Sequence, residues 1–543
     1  MNLEPKSIYK EYTDAVSLKS SIGNRGIYEQ SRINERFYVG DQWYGAKCGN
    51  DRPLVRHNII KRIGDYKMSQ ILSSPVSVKY SADGIPDTHK TSQKATNIKK
   101  QIANNPKFRF KDSVDCNEIN TVTSALSDYR NVTARRVNFP YLCEKALKKA
   151  YVSGSAVIYT YWDGDINTGL YADDSDSTPI KGDINCEVLD IENVYFGDAS
   201  LEDVQTQPFI IISSLQPVEA VKREAQTFGA DEYELSLIGD GDENGKILVL
   251  TKLYKEYKIN GEYTVKCLKT TEKAFIRKPY DTRLRMYPLA LFSWDERSHR
   301  IYGESEITYL IPNQIAINRM ITASVWASMT MGMPLMVVNG DTVADDITND
   351  PGQIIKIFGS NEDVAGAVKY VTPPDFCDGI NQNINGLIEN TLEQSGANEA
   401  ALGDALPNNA AAINALQNAA ILPLALVKNR FYGFIGEVSR IWADFWITQY
   451  GERKIKIEDE NGVWYMPFDT SRYKNLYLTV KVDVSTNSLS SNPQTLEILT
   501  ELFEKGIINK RQFLKRIPDG TVPDIRGLLS ELNEDGETQD DGI

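Results

Sequence analysis

Two long runs without a single charged residue constrain this chain more than any other feature. Met320–Gly340 and Ala405–Val427 are each about as long as a bilayer-spanning helix, which takes about 20 residues. Each must be buried in lipid or covered by protein. The first carries Pro334 with Thr322, Ser324, Ser328, Thr330 and Asn339; the second carries two prolines (Pro407, Pro423) and the amides Asn408, Asn409, Asn414, Gln417 and Asn418. Polar groups in hydrocarbon are costly. Both runs therefore read as segments covered by protein contacts, and the chain reads as soluble with no membrane partner.

The charge around these runs is uneven. Residues 301–420 hold fourteen acids against three bases (Arg319, Lys356, Lys369), a net −11 of the chain's −14. A solvated helical hairpin in an acidic protein is the plain reading. The alternative is that such helices bury apolar faces against copies of themselves, so that in a ring the acidic faces would line a channel. DNA would be repelled from that wall and slide. With a Debye length of about 8 Å, the repulsion acts only near the surface.

The rest of the composition excludes several classes. At 543 residues the chain has room for about three to five structural units. The surplus of acids argues against a generally basic nucleic-acid binder. The one basic stretch, 88–112, reads as a solvated face, with a DNA contact as the alternative. Six scattered cysteines with no CxxC pair exclude a disulfide scaffold or zinc ribbon. Met1–Lys10 has no apolar core, so no secretory leader is expected. There is no GxxxxGK[ST], HExxH or GxSxG, and His57, His89 and His299 are scattered. No catalytic, cofactor or metal site is therefore expected. Asp240–Gly245 imitates the first half of a calcium loop, but the position that should hold a bidentate glutamate is Thr251. An acidic turn is the better reading.

Periodicity gives an α+β fold. Helices are expected over Ser7–Val39, Asn58–Leu72, Gln216–Thr227, Gly303–Thr330, Asp375–Gln394 and about 410–450, the last kinked by Pro423, with two or three short ones over Asn492–Asn533. Strands are expected at Val76–Tyr80, Ala156–Trp162 (ended by a turn at Asp163-Gly164-Asp165), Cys186–Leu189, Val194–Phe196, Pro208–Ser213, Met336–Val338 and Gln353–Phe358. Hairpins are expected for Ile247–Ile259 with Glu262–Lys269 around Asn260-Gly261, and for Lys454–Ile457 with Val463–Met466. Ser395–Asn409 reads as a small, polar loop, and the acidic end after Leu532 as frayed.

The ordered segments resemble the portal proteins of tailed double-stranded DNA bacteriophages, particularly long-tailed phages of Gram-positive hosts. The residues carrying the resemblance are Phe37–Tyr44, Arg56–Lys61, Gly303–Ile307 with Asn313, Gln314 and Asn318, then Ser395–Gly403 and Leu502–Asn509. The likeness spans nearly the whole chain through an ordered set of segments. It implies a portal fold: wing 1–302, stem helices 303–330 and 375–397, clip 331–374, tunnel loop 398–412, a long helix with the rest of the wing 413–490, and a helical crown with acidic tail 491–543. It further implies a non-enzymatic ring of twelve at one capsid vertex of the virion, assembled in the host cytoplasm. The ring would pass double-stranded DNA without reading its sequence. Its partners would be the terminase large subunit, a head–tail adaptor, and the major capsid and scaffold proteins. Asn398, Glu399, Asp404, Asn408 and Asn409 would come nearest the DNA, and Asp341, Asp345, Asp346, Asp350 and Lys356 would dock partners at the clip. The competing readings are another structural virion component, such as an adaptor or minor capsid protein, and a calcium-dependent hydrolase using Asp240 and Asp242.

Overall fold

The computed structural model describes residues 3–44, 53–73, 76–82, 116–171, 179–257, 263–331, 335–338, 358, 368–371, 377–397, 422–459, 462–469, 478–484, 492–514 and 516–517. Along the chain these form α1 (Pro5–Ser21), α2 (Gly26–Val39), α3 (Ile59–Leu72), β1 (Val76–Ala82), α4 (Cys116–Arg136), α5 (Phe139–Ser153), β2 (Ser155–Tyr171), β3 (Pro179–Asp190) and β4 (Val194–Phe196). Then come β5 (Phe209–Pro217), α6 (Val218–Thr227), α7 (Glu232–Ile238), β6 (Lys246–Tyr257), β7 (Tyr263–Thr270), β8 (Phe275–Asp281), β9 (Leu289–Ser293), β10 (Asp295–Arg297) and β11 (Arg300–Glu304). The remainder is α8 (Ile307–Met331), β12 (Leu335–Val338), β13 (Val368–Val371), α9 (Cys377–Ser395), α10 (Ala425–Gln449), β14 (Glu452–Asp459), β15 (Gly462–Asp469), β16 (Leu478–Val484), α11 (Asn492–Glu504) and α12 (Lys510–Leu514). The mixture of helix and antiparallel sheet is the expected α+β class.

The chain divides into two compact units: unit 1 is Met1–Arg32, Lys67–Glu306 and Leu422–Ile543, and unit 2 is Ile33–Tyr66 and Ile307–Ile421. Unit 1 contains an antiparallel sheet in the order β4-β5-β6-β7-β8. Because successive strand residues point to opposite faces, its two sides collect different cores. Leu250, Tyr254 and Leu268 join Ile211 and Tyr195 against Ile8 of α1, whereas Val249 and Ile276 join Val221 and Ala225 of α6. Lys252 lies on this sheet fully buried and is paired with Glu11 of α1.

A second sheet of unit 1, β3-β2-β9, is accompanied by the aromatic face of α10. Phe431, Phe434, Trp442 and Trp446 recur at helical spacing and are all buried. Phe292 of β9 meets Phe431 and Phe434 at ring separations of 5.4 and 5.7 Å, and Phe139 meets Trp442 at 5.2 Å. Strand β1 pairs with β16 in register Val78↔Val482, and Tyr80 of β1 donates to the Ser439 carbonyl at 2.8 Å.

Several expectations are corrected. Ser7–Val39 is two helices, because the chain breaks at Ile22–Arg25 and restarts at Gly26, whose φ of +74° favours glycine and where a Cβ would lie 2.5 Å from the Ser20 carbonyl oxygen. Asp163-Gly164-Asp165 is no turn: β2 runs on to Tyr171 with register irregularities after Asp163. The helix expected from Gly303 starts at Ile307, since Gly303 and Glu304 belong to β11. Pro423 lies in a 3-10 turn, Leu422–Leu424, so the described helix that follows has no internal proline and no proline kink. Helices α4 and α5, strand β16 and the β8–β11 strands were not anticipated.

Both expected hairpins are present, although Asn260-Gly261 and Glu460-Asn461 lie outside the described residues. The acidic segment at Asp240 is the expected turn: Asp242 Oδ1 accepts the amides of Asn244 (3.0 Å) and Lys246 (2.8 Å), and Thr251 stands in β6. The basic stretch 88–112, the strand expected at Gln353–Phe358 (apart from Phe358) and the acidic end are outside the described residues. Among the described residues no helix is long and apolar enough to cross a membrane.

Candidate functional site

Unit 2 is built around one helix. Ile307, Leu310 and Ile317 of α8 are buried; Ile311, Ile315, Ile321, Val325 and Trp326 are half-buried; Tyr309 and Met329 are 50% and 65% exposed. A helix apolar on most sides needs cover on more than one of them. Pro312, in its second turn, has no N–H to give the Thr308 carbonyl.

Helix α9 supplies one covering surface, with Ile384 and Leu392 buried. The two helices run antiparallel: Asn313 Nδ2 donates to Thr391 Oγ1 at 3.1 Å, and Ser324 Oγ donates to Asn381 Oδ1 at 3.4 Å. Strands β12 and β13, paired Leu335↔Val371 to Val338↔Val368, lie between them in sequence. Helix α9 ends at Gly396 (φ +74°), where the Gly396 and Ala397 amides fold back onto the Glu393 and Leu392 carbonyls at 2.9 and 3.0 Å.

On another side α8 grips an extended segment, residues 53–58, through a polar seam. Thr322 Oγ1 accepts the Val55 amide (3.1 Å), Asn318 Oδ1 the His57 amide (3.0 Å) and Gln314 Oε1 the Ile59 amide (3.0 Å). The fit is metric. Four helical residues rise about 6 Å, and two extended residues span about 6.6 Å, so Thr322 and Asn318 match the alternate amides of Val55 and His57, while Gln314 meets the chain where it turns into α3, the Ile59 amide being shared with the His57 carbonyl (3.0 Å). Helix α8 thus stands in for a neighbouring strand. Gln314 Nε2 also donates to the His57 carbonyl (2.6 Å) and to Asn318 Oδ1 (3.0 Å), while Asn318 Nδ2 donates to Gln42 Oε1 (2.5 Å). Gln314 and Asn318 are 1% and 2% exposed, and their neighbours satisfy them.

The flanks are pinned as well. Trp43 Nε1 donates to the Val55 carbonyl (3.0 Å), and Asn58 caps α3 by accepting the Lys61 amide (3.1 Å) while its Nδ2 donates to the Tyr38 carbonyl (3.0 Å). Tyr38 donates to Asp65 at 2.8 Å; burial first, then that carboxylate, pushes its phenol above the usual tyrosine range. The seam itself is neutral amide and hydroxyl, suited to holding a helix at a fixed height.

All ten residues singled out from the sequence, Asn398, Glu399, Asp404, Asn408 and Asn409 with Asp341, Asp345, Asp346, Asp350 and Lys356, lie outside the described residues. The structure instead brings together residues that carry the portal resemblance: Gln42, His57, Asn58, Ile59, Gln314 and Asn318. Thr322 lies outside the residues that carry the resemblance, yet Gln314, Asn318 and Thr322 form a polar stripe of one-turn period on an apolar helix. Among the described residues no group of three or more His, Cys, Asp or Glu side chains is placed to hold a metal ion. No protein-family model and no curated protein sequence matches the chain.

Proposed function

We propose that the chain is a portal subunit of a tailed double-stranded DNA bacteriophage. In this reading α8 and α9 are stem helices, β12 and β13 belong to the clip, 398–412 is the tunnel loop, and α11 and α12 lie in the crown. The observation that carries the reading is α8. It is apolar on most of its circumference, paired with an antiparallel helix across a strand pair, and set in the segment that concentrates the chain's negative charge. Surfaces that one copy leaves half-covered are covered by neighbouring copies in a closed ring, and an acidic wall keeps DNA from adhering.

The ring, twelve-fold in the family it resembles, is a non-enzymatic conduit at one vertex of the virion, assembled in the host cytoplasm among capsid and scaffold proteins. The terminase large subunit docks at the clip during packaging, and the head–tail adaptor afterwards, through Asp341, Asp345, Asp346, Asp350 and Lys356. Asn398, Glu399, Asp404, Asn408 and Asn409 border the passing duplex. Native mass spectrometry with negative-stain imaging of the purified chain tests this: a closed ring with a central hole is expected, and a monomer at micromolar concentration overturns it. In a packaging assay, Glu399→Lys with Asp404→Lys makes DNA adhere and slows translocation; an unchanged velocity removes the tunnel-loop assignment.

A further inference from the structure

Helix α4 carries a charge where its packing stripe asks for an apolar side chain. Val122, Ala125 and Leu126 are buried at helical spacing, and the stripe continues with Arg130 and Thr133, 5% and 1% exposed. The Arg130 guanidinium lies 5.4 Å from the Phe139 ring centre and 5.9 Å from that of Trp442, so the cation sits against the aromatic core of unit 1. Arg130 Nε is buried with no acceptor, and among the described residues no ion pair or hydrogen bond holds this side chain. Thr133 Oγ1 is also buried without a partner. Hydroxyls on α10 behave otherwise: Ser439 and Thr448 donate to the carbonyls of Ile435 and Asp444, one turn back, at 2.9 and 2.6 Å. Because Phe139 opens the helix after α4, a guanidinium against its ring is turned toward the C-terminal end of α4, the end that carries Thr133.

Two neighbouring orphan donors, one on a cation that keeps its proton, require an acceptor that also brings negative charge. The ionisable side chains acting on Arg130 are Tyr80 and Cys143. Burial pushes the Tyr80 phenol up and the Cys143 thiol up to about 12, so both are neutral at physiological pH, and Tyr80 donates its proton to the Ser439 carbonyl at 2.8 Å. The Phe139 and Trp442 rings attract the charge without neutralising it. A water molecule would satisfy both donors and leave the charge uncompensated. We infer that Arg130 and Thr133 form a buried binding site for a small inorganic anion of the halide class. A single-atom ion suits two donors; a phosphate or sulfate would bring several oxygens that they cannot meet. The site lies within unit 1 and is independent of the proposed ring.

Urea unfolding of the full chain tests it, with sodium chloride replacing sodium gluconate at constant ionic strength. Above half-saturation, each ten-fold rise in chloride is expected to raise the folding constant about ten-fold, the signature of one ion bound to the folded chain only. Arg130→Met sets an apolar side chain of similar reach in the stripe; it should remove this dependence and match or exceed the parent's stability in gluconate. Thr133→Val should move the onset to about ten-fold higher chloride, through loss of one hydrogen bond to a charged group. A parent indifferent to chloride overturns the inference and leaves water with the two rings as Arg130's surroundings. A dependence that Arg130→Met or Thr133→Val retains unchanged overturns it too, by placing the ion elsewhere.

Discussion

Asn318 accepts the amide proton of His57 at 3.0 Å, and Gln314, one turn earlier on the same helix, accepts that of Ile59 at the same distance. Residues 53–58 form no strand pair, so their amides would ordinarily exchange quickly with solvent. The seam reverses this. The amides of Val55 and His57 are expected to exchange slowly, as strand amides do. Asn318→Ala should accelerate exchange at His57 by about ten-fold, the equivalent of one lost hydrogen bond to a buried group. Fast exchange at both positions in the parent chain would refute the seam.

Lys19 is fully buried, with its ammonium donating to the carbonyls of Ile191 (2.5 Å) and Glu192 (3.1 Å) and lying 3.9 Å from the Tyr195 ring centre. Burial pulls its pKa well below the ordinary lysine value. The folded chain therefore gives up this proton at lower pH than the unfolded chain does, so Lys19's contribution to stability grows as pH rises toward 10.5. Lys19→Ala should cost about 1–3 kcal/mol at neutral pH, because it leaves the buried Ile191 and Glu192 carbonyls without their donor. Denaturant titrations at about pH 7 and pH 10 should show the parent gaining on Lys19→Met. A pH-independent difference would contradict the assignment.

Asp444, 5% exposed, accepts the Arg285 and Met286 amides (2.7 and 3.1 Å) and the Arg285 Nε–H (3.0 Å). Burial raises its pKa above the usual aspartate value, with Arg285 opposing the shift. The folded chain holds this proton more tightly than the unfolded one. The associated stability is thus fully present below about pH 4 and declines as pH rises through the folded value. Measured against Asp444→Asn, the parent should lose relative stability over that interval. The opposite slope would mean that Arg285 outweighs desolvation.

Helix α10 offers an internal contrast. Trp442 is fully buried against Phe139, with its Nε1 donating to Cys186 Sγ at 3.3 Å, whereas Leu426 is 72% exposed. Trp442→Ala should lower unfolding free energy by about 3–5 kcal/mol, and Leu426→Ala should change it by about 0.5 kcal/mol or less. Comparable losses at both positions, read from chemical denaturation, would show that the aromatic face is not the core of this sheet.

The legible parts of the fold were those set by neighbours in sequence. Alternation found β4 and the β6–β7 and β14–β15 hairpins, and 3.6-residue spacing found α8, α9 and most of α10. Asp163-Gly164-Asp165 misled because a bulged strand uses the same small and acidic residues as a turn. Strand β16 was invisible since its partner β1 lies at the far end of the chain, and a seven-residue strand carries little signal alone. For the candidate site, the resemblance selected Gln42, His57, Gln314 and Asn318 one by one. Their convergence follows from the packing of α8 against the chain leading into α3, two segments far apart in sequence, which neither segment alone reveals.

The pairing of Val76–Ala82 with Leu478–Val484 also bears on synthesis. At about 5–20 residues per second, a ribosome delivers the second strand tens of seconds after the first. Throughout that interval the early strand has bare amide and carbonyl edges, open to any other extended polypeptide nearby. Truncation before residue 478 removes the strand that pairs with this edge, and should yield aggregates instead of a smaller folded product.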